Sequence, residues 1–351
     1  MDGIRHLIGV SDITTSWWNS LFSLCREIIA HPQDYSDANR GKVMASLFFE
    51  PSTRTKFSFQ AAMLRLGGSV FGFENANDTS ASKGESLADT IRMTSAYSDV
   101  VVMRSPSEGA ARAASLYSEV PLVNAGDGGH QHPTQTLTDL ATLAVTRGEI
   151  RDLTVGLCGD LRYGRTVHSL VEALAKFPNI RFVLTAPPEL AMPDYVTRFM
   201  RARNLTFTEV PTLDDALPQL DVLYMTRVQR ERVIQSATQS TMEYSDDFIL
   251  TRDKLARAKR DLTILHPLPR VNEIAPEVDL DPRAKYFDQA RYGMYIRMAL
   301  LLKLCAQPRT APEPVAVGGA KCANPACITR REPYLPDLRN DDGGCGYCDV
   351  N

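Results

Sequence analysis

Long apolar runs are missing from this sequence, and their absence excludes one broad class of protein. No uninterrupted apolar stretch approaches the roughly 18 residues that a membrane-spanning helix requires. The first residues, Met1 to Trp18, also lack the charged and then apolar layout of a secretory signal peptide. We therefore expect a soluble, cytoplasmic protein.

An excess of either charge is missing as well. The 351 residues include 39 Lys and Arg against 42 Asp and Glu, which gives a formal net charge of -3. So balanced a chain has no overall cationic field to attract nucleic acid or an anionic membrane. We expect neither as a partner, and any site for an anion has to be built locally.

Cysteine is scarce until the end of the chain, where it clusters. Three of the seven cysteines are scattered, and four crowd the last 30 residues as two close pairs: Cys322, Cys327, Cys345 and Cys348. This spacing suits tetrahedral zinc held by four thiolates, whereas clustering at one end is unlike a secreted disulfide scaffold. We predict a structural zinc site, with incidental cysteines as the alternative.

Short apolar runs rich in β-branched and aromatic residues alternate with longer helix-like segments. The predicted strands cover residues 43–49, 100–103, 153–158, 182–185, 222–225 and 262–265. This alternation is typical of α/β folds with parallel sheets. We predict two domains, each with a mostly parallel sheet flanked by helices, plus a small C-terminal zinc-binding module.

An apolar helical pattern near residues 133–145 is interpreted as the connector between the two domains. The expected first domain spans residues 1–133 and is completed by a C-terminal helix at 289–306, and the second spans 134–288. Residues 307–320 are rich in Pro, Ala and Gly and are predicted to be a linker. Residues 321–351 are too few to fold on their own without a stabilising cross-link such as a bound metal.

A candidate anion site follows the first predicted strand. Ser52, Thr53, Arg54 and Thr55 open a predicted helix, so hydroxyls, a guanidinium and free backbone N–H groups converge at the positive end of the helix dipole. A phosphate requires such a set of groups. The alternative is that Ser52 only caps the helix and Arg54 is solvated.

A histidine that is a candidate catalytic residue follows a glycine-rich turn. His132 precedes Pro133, which suits the first turn of a helix, and Gln135 lies one turn further in. There His132 could donate a hydrogen bond to a carbonyl oxygen, although a structural or exposed histidine is the alternative. Arg104 adds weight because it follows a predicted strand, where ligand sites of α/β proteins collect.

Residues 159–166 nearly satisfy the P-loop spacing, with Arg165 in the position of the lysine. A nucleotide hydrolase is therefore an alternative, but an arginine fork matches a carboxylate better than it replaces that lysine. Arg227 and Gln229, just past the strand 222–225, could form a second carboxylate clamp. Two arginines suit a dicarboxylic substrate, and each could instead be a surface ion-pair residue.

Six motifs together resemble the aspartate carbamoyltransferase catalytic chains, in order over about residues 1 to 306. They are FFEPSTRT (48–55), SKGE (82–85), MRSP (103–106), HPTQ (132–135), GDLRYGRTVHS (159–169) and HPLPR (266–270). The related ornithine enzymes carry a cysteine in place of Pro267 and lack the arrangement of Arg227 and Gln229. The resemblance implies synthesis of N-carbamoyl-L-aspartate and phosphate from carbamoyl phosphate and L-aspartate, early in pyrimidine (UMP) biosynthesis.

The resemblance also assigns roles. It implies that a first set of residues holds carbamoyl phosphate, with Arg54, Thr55, Arg104 and His132 as the catalytic ones: Ser52, Thr53, Arg54, Thr55, Arg104, His132, Gln135, Leu268 and cis Pro269. A second set is implied to contact aspartate: Lys83, Arg165, Thr166, Arg227, Gln229 and the backbone of Leu268. The amine would attack the carbamoyl carbon directly, with no covalent intermediate and no cofactor in the chemistry.

Two implications concern other chains. In this family Ser80 and Lys83 reach into the site of the neighbouring subunit, which implies a homotrimer with shared active sites, and two trimers could pair. The segment 322–329 resembles the zinc domain of the separate regulatory chain of bacterial enzymes. We interpret the tail as a truncated zinc module that braces contacts between catalytic chains. An inert scaffold with a zinc tail is the remaining alternative.

Overall fold

The computed structural model describes residues 3–75, 79–227, 246–319, 322–341 and 343–350. The chain forms two compact units, the first made of Met1–Thr134 and Gly293–Asn351 and the second of Gln135–Tyr292. None of the helices in the described ranges is long and apolar enough to cross a membrane.

The first unit is built on a parallel sheet of four strands in the order β2-β1-β3-β4. The strands are β1 (Val43–Phe48), β2 (Ser69–Phe73), β3 (Val100–Ser105) and β4 (Leu122–Asp127). The helices of this part of the chain are α1 (Thr15–Ala30), α2 (Thr53–Arg65), α3 (Leu87–Tyr97) and α4 (Ala110–Ser115). Strands β1, β3 and β4 are buried along almost their whole length, as expected for parallel strands covered on both faces.

The second unit contains a parallel sheet of five strands in the order β7-β6-β5-β8-β9. The strands are β5 (Thr154–Cys158), β6 (Arg181–Thr185), β7 (Thr206–Glu209), β8 (Val222–Met225) and β9 (Thr263–Leu265). Its helices are α6 (Arg165–Leu174), α7 (Asp194–Ala202) and α8 (Leu213–Ala216). Two longer helices, α5 (Pro133–Arg147) and α9 (Tyr286–Cys305), each belong partly to both units.

The predicted fold class is confirmed, and all six predicted strands are present within two residues of their expected ends. The prediction omitted β2, β4 and β7. Strands β2 and β7 lie at sheet edges and are largely exposed, so they lack the apolar runs of central strands. Strand β4 is buried but ends in Asn124, Ala125, Gly126 and Asp127, a composition that strands disfavour.

The end of the chain packs on the first unit. Residues 307–319 are tied to it by hydrogen bonds, as when Arg309 donates to the carbonyl oxygens of Ser95 and Ser98 at 2.7 and 2.9 Å. Residues 322–341 and 343–350, called the cysteine tail here, bury Ile328 and Tyr347 among the residues of α3, α4, β1 and β3. The tail therefore shares the hydrophobic core of the first unit.

Candidate functional site

In the first unit the predicted anion-binding residues collect at the carboxyl edge of the sheet. Parallel pairing places Phe48 of β1 beside Arg104 of β3, and Ser105 of β3 beside Asp127 of β4. The segments that follow these three neighbouring strands therefore emerge side by side. Ser52 to Thr55 and, five residues after Asp127, His132 lie in these segments, and Arg104 is the last residue but one of β3 itself.

Helix α2 begins at Thr53, so the N–H groups of its first turn point out of the helix toward this edge. Ser52 occupies the N-cap position, but its hydroxyl accepts no capping hydrogen bond. Thr53 and Arg54 are exposed, and Thr55 is buried. The capping alternative for Ser52 therefore lacks support, and the hydroxyls and dipole of this turn are arranged for an anion.

Arg104 is held in place by a residue that the sequence reasoning missed. Its guanidinium forms an ion pair with Glu50, which lies between β1 and α2, and donates to the carbonyl oxygen of Ala125 at 3.4 Å. Its Nε is buried and has no hydrogen-bond partner among the described residues. Arg104 is thus oriented from two sides and keeps a buried N–H donor for a ligand.

His132 immediately precedes α5, and its side chain is buried. The hydroxyl of Thr134 lies 3.5 Å from its Nδ1. His132 therefore lies at the N-terminus of a helix, as predicted, with Pro133 as the first helical residue. A second unforeseen residue, Arg297 of α9, donates to Ser58 of α2 at 3.0 Å and to the carbonyl oxygen of Thr134 at 3.5 Å, and so ties α2 to the start of α5.

In the second unit, Arg165, Arg227 and Leu268, which are predicted to contact the substrate aspartate, follow the carboxyl ends of β5, β8 and β9. Arg165 is the first residue of α6 and is buried, and the Thr166 hydroxyl is hydrogen-bonded to Tyr224. Arg227 is half-buried two residues after β8. Gln229 lies outside the described residues.

Gln135 belongs to a buried network around Asp139, a residue that the sequence reasoning did not single out. The side-chain amides of Gln135 and Gln289 both donate to Oδ1 of Asp139, at 2.7 and 2.6 Å, and the Tyr224 hydroxyl donates to Oδ2 at 3.0 Å. Burial and the Asp139 carboxylate raise the pKa of Tyr224 well above its ordinary value. The hydrogen bond to Asp139 orients the amide of Gln135, whose oxygen can accept from a ligand.

The backbone at Leu268 is fixed by a buried pair, His266 and Glu273. Leu268 donates its N–H to Nδ1 of His266 at 2.7 Å, so Nε2 carries the ring proton and donates to Glu273 at 2.7 Å. Burial is the largest influence on Glu273 and opposes its ionisation, but the contacts with His266 and the backbone N–H groups together lower the pKa of Glu273. The peptide bond between Leu268 and Pro269 is cis, as the resemblance implied.

Ser80 and Lys83 lie on a short 3-10 helix, Ser80–Lys83. Both side chains are exposed to solvent. The helix ends at Gly84, whose φ of 95° is a conformation that glycine adopts without strain. These two residues are therefore accessible from outside the chain.

The four clustered cysteines come together as the spacing predicts. Their sulfur atoms all lie within 4.8 Å of one another, with Cys322 and Cys348 3.6 Å apart and Cys327 and Cys345 3.8 Å apart. Tetrahedral zinc with bonds of about 2.3 Å requires sulfurs about 3.8 Å apart, whereas a disulfide requires about 2.05 Å. All four are buried free thiols, so the donor set fits a metal ion.

The thiols also differ in acidity in a way that favours a cation. A hydrogen bond from Cys348 lowers the pKa of Cys327 to about 5, and the same bond raises the pKa of Cys348. The Thr329 hydroxyl donates to the sulfur of Cys327 at 3.4 Å. A first thiolate is thus stabilised by its neighbours, and the remaining ones need a positive ion.

Comparison with sequence families matches both units. Residues 5–145 match the family description "Aspartate/ornithine carbamoyltransferase, carbamoyl-P binding domain", and residues 151–304 match "Aspartate/ornithine carbamoyltransferase, Asp/Orn binding domain". The loop at 159–166, with its P-loop-like spacing, lies within the second match. The cysteine tail lies beyond both matched segments.

Individual proteins of this family are similar to the chain over most of its length. The aspartate carbamoyltransferase catalytic subunit of Finegoldia magna is 54% identical over 300 residues, which cover 86% of this chain and 97% of the relative. The corresponding subunit of Clostridium botulinum (strain Eklund 17B / Type B) is 52% identical over 301 residues, with the same coverage of both chains.

Solved structures share the fold. The catalytic subunit of M. jannaschii aspartate transcarbamoylase is 44% identical with a TM-score of 0.79, over 86% of this chain and 98% of that one. Aspartate transcarbamoylase from Trypanosoma cruzi, in complex with aspartate and phosphate, is 37% identical with a TM-score of 0.78, over 86% and 96% of the two chains.

The pair of His266 and Glu273 generates a stability prediction. In Glu273→Gln an amide NH2 replaces the oxygen that accepts the N–H groups of Val271 and Asn272, each at 3.1 Å. We expect the free energy of unfolding, measured by urea denaturation, to fall by about 1–3 kcal/mol. The exposed Glu277→Gln is the matched control and should change it by less than about 0.5 kcal/mol.

The lowered pKa of Glu273 sets the pH range over which this residue stabilises the fold. The stabilisation by Glu273 is present above the pKa of an exposed glutamate, about 4.3, and is lost as the pH falls through the lower folded-state value. The difference between parent and Glu273→Gln should therefore be constant near neutral pH and shrink in acid. Equal stability of the two proteins at pH 7 would contradict the role given to this pair.

Proposed function

This chain belongs to the aspartate/ornithine carbamoyltransferase family, and we propose that it transfers the carbamoyl group of carbamoyl phosphate to L-aspartate. The products are N-carbamoyl-L-aspartate and phosphate, an early step of de novo pyrimidine biosynthesis. The observation that carries the proposal is the carboxyl edge of the first sheet, where the start of α2, Arg104 and His132 lie at the ends of three neighbouring strands.

Carbamoyl phosphate would bind through its phosphate to the first turn of α2. The hydroxyls of Ser52, Thr53 and Thr55 and the backbone N–H groups can donate to phosphate oxygens, and Arg54 can neutralise charge. Because the chain as a whole is slightly anionic, this local cationic set is what would attract the ligand.

The carbamoyl carbonyl would be polarised by Thr55, Arg104 and His132. All three can donate hydrogen bonds, and Arg104 and His132 are already oriented, so little reorganisation is needed when negative charge develops on the oxygen. The oxygen of Gln135 and the backbone at Leu268 would accept from the carbamoyl amide nitrogen or the attacking amine. Leu268 and Pro269 would thus help to align the two substrates.

Aspartate would be held by its two carboxylates. Arg165 and Arg227 supply guanidinium forks, Thr166 and Gln229 supply further hydrogen bonds, and the neutral amine attacks the carbamoyl carbon. The C–O bond to phosphate then breaks, and the leaving phosphate can take the proton from the amine. The arginines favour aspartate over ornithine, whose side chain is cationic.

A homotrimer would complete the site. We propose that Ser80 and Lys83 of one chain contact the substrates bound to its neighbour, because the resemblance implies this role and both side chains are exposed. We also propose that the metal held by Cys322, Cys327, Cys345 and Cys348 is zinc, in a structural role, since four thiolates leave no open position for a substrate.

The reaction is tested with Arg54→Ala and its matched control Arg65→Ala, which alters an exposed arginine at the opposite end of the same helix. The parent should form carbamoyl aspartate and leave ornithine unused. Loss of the phosphate contact should lower kcat/KM for carbamoyl phosphate by about 100-fold or more in Arg54→Ala, with little change in Arg65→Ala. A folded parent without turnover would favour the inert scaffold.

The shared site is tested by mixing two inactive variants, Lys83→Ala and His132→Ala. If each site takes Lys83 from one chain and His132 from another, mixed trimers contain sites with both intact residues. Random reassembly of equal amounts should restore roughly a quarter of the parental activity. A mixture that stays inactive after verified subunit exchange would place Lys83 outside the neighbouring site.

The metal is tested by elemental analysis and by removal. We expect one zinc per chain in the parent, its loss in Cys345→Ser, and its retention in Cys25→Ala, a buried cysteine far from the cluster in sequence. Chelation should lower the unfolding temperature because metal binding contributes folding free energy. Four reactive thiols in a metal-free tail of unchanged stability would contradict the zinc site.

A further inference from the structure

The loop that leads to His132 is fastened to the cysteine tail by a charged histidine. We call residues 128–132 the His132 loop. His130 lies between two carboxylates, with Nδ1 3.1 Å from Oδ2 of Asp127 and Nε2 2.8 Å from Oδ2 of Asp349 in the tail. Because carboxylates only accept hydrogen bonds, both ring nitrogens carry protons and the ring is cationic.

Both partners of His130 are themselves held in place. The buried Asp127 accepts the N–H of Gln131 at 2.9 Å and the N–H of Gly109 at 2.8 Å. Asn340 of the tail donates to the other oxygen of Asp349 at 2.7 Å. The ion pair therefore joins two ordered elements.

Glu108, in the turn after β3, makes a second connection. Its side chain accepts the N–H of Gly129 in the His132 loop at 3.1 Å and the amide of Asn324 in the tail at 2.7 Å. Its backbone pairs with the tail as well, donating to the carbonyl oxygen of Ala326 and accepting from Ile328, both at 2.9 Å. Glu108 thus bridges the loop and the tail.

The backbone segments at these contacts approach one another closely. A Cβ atom on Gly109 would lie 2.5 Å from the carbonyl oxygen of Tyr347, and one on Gly128 would lie 2.7 Å from that of Pro106. Both glycines have positive φ angles, 78° and 55°. Gly109 thus meets the backbone of the tail, and Gly128 of the His132 loop meets the backbone of the turn that contains Glu108.

We propose that the cysteine tail positions His132 of its own chain, with Asp349 and His130 as the positioning residues. Asp349 directly follows Cys348, so ordering of the cysteines fixes the carboxylate that holds the loop. This role differs from bracing between chains. Its effect on rate rests on the proposed carbamoyl transfer, whereas the coupling of tail to loop does not.

The kinetic test breaks the contact from each side, with Asp349→Asn and with His130→Asn, whose single amide nitrogen cannot span two carboxylates. Each variant should lower kcat about tenfold, because a misplaced His132 loses transition-state contacts, and leave KM for aspartate almost unchanged. The double variant should be no worse than either single one, since both remove the same contact. Asp337→Asn, in the same tail and ion-paired with Arg339, is the matched control and should keep parental kcat.

Amide hydrogen exchange supplies a readout that needs no activity. With metal content equal to that of the parent, Asp349→Asn should speed exchange at residues 128–132 and leave strands β5 and β6 unchanged. Parental exchange in the loop together with kcat within about twofold of the parent would overturn the proposal. Should Asp349→Asn lose metal, the same two readouts on His130→Asn decide, because that variant leaves the tail sequence intact. A parent without turnover would refute the enzyme, and exchange would still decide the coupling.

Discussion

Parallel strand pairing is the constraint on which both halves of this structure depend. In each sheet every strand runs the same way, so every loop that leaves a carboxyl end emerges at one edge. Register then decides which loops are neighbours: Phe48 lies beside Arg104, although 56 positions separate them in sequence. Residues far apart along the chain are thereby placed close together without any of them needing a long side chain.

In each unit, polar groups that are buried or half-buried hold the residues at the carboxyl edge of its sheet in place. Glu50 orients Arg104, Asp139 orients Gln135, and the pair of His266 and Glu273 orients Leu268. Each of these carboxylates is stabilised because it is hydrogen-bonded or ion-paired, and each holds in advance a group that would meet the substrate. Preorganisation of this kind is what a reaction between two anions needs, since neither partner can be brought close without fixed positive or donating groups.

The sequence was sufficient for the family, the fold class and the gathering of the four cysteines, because these depend on local motifs and spacing. It did not reveal Asp139, Tyr224, Gln289 or Arg297. Their contacts join elements far apart in sequence, and 150 positions separate Asp139 from Gln289. No local sequence pattern marks these residues as partners. Strand β4 was missed for a related reason, since Asn124 and Asp127 satisfy each other only once folded, at 3.0 Å.

The cysteine tail shows how a segment of some 30 residues avoids the limit on small domains. It buries Ile328 and Tyr347 in the core of the first unit instead of building its own, and it meets α4, whose buried positions are all alanine, so its backbone can come close. Four converging thiols would add cohesion when bound to a metal. The contacts of the tail fall on the turns after β3 and β4, next to the strand ends where Arg104 and His132 lie.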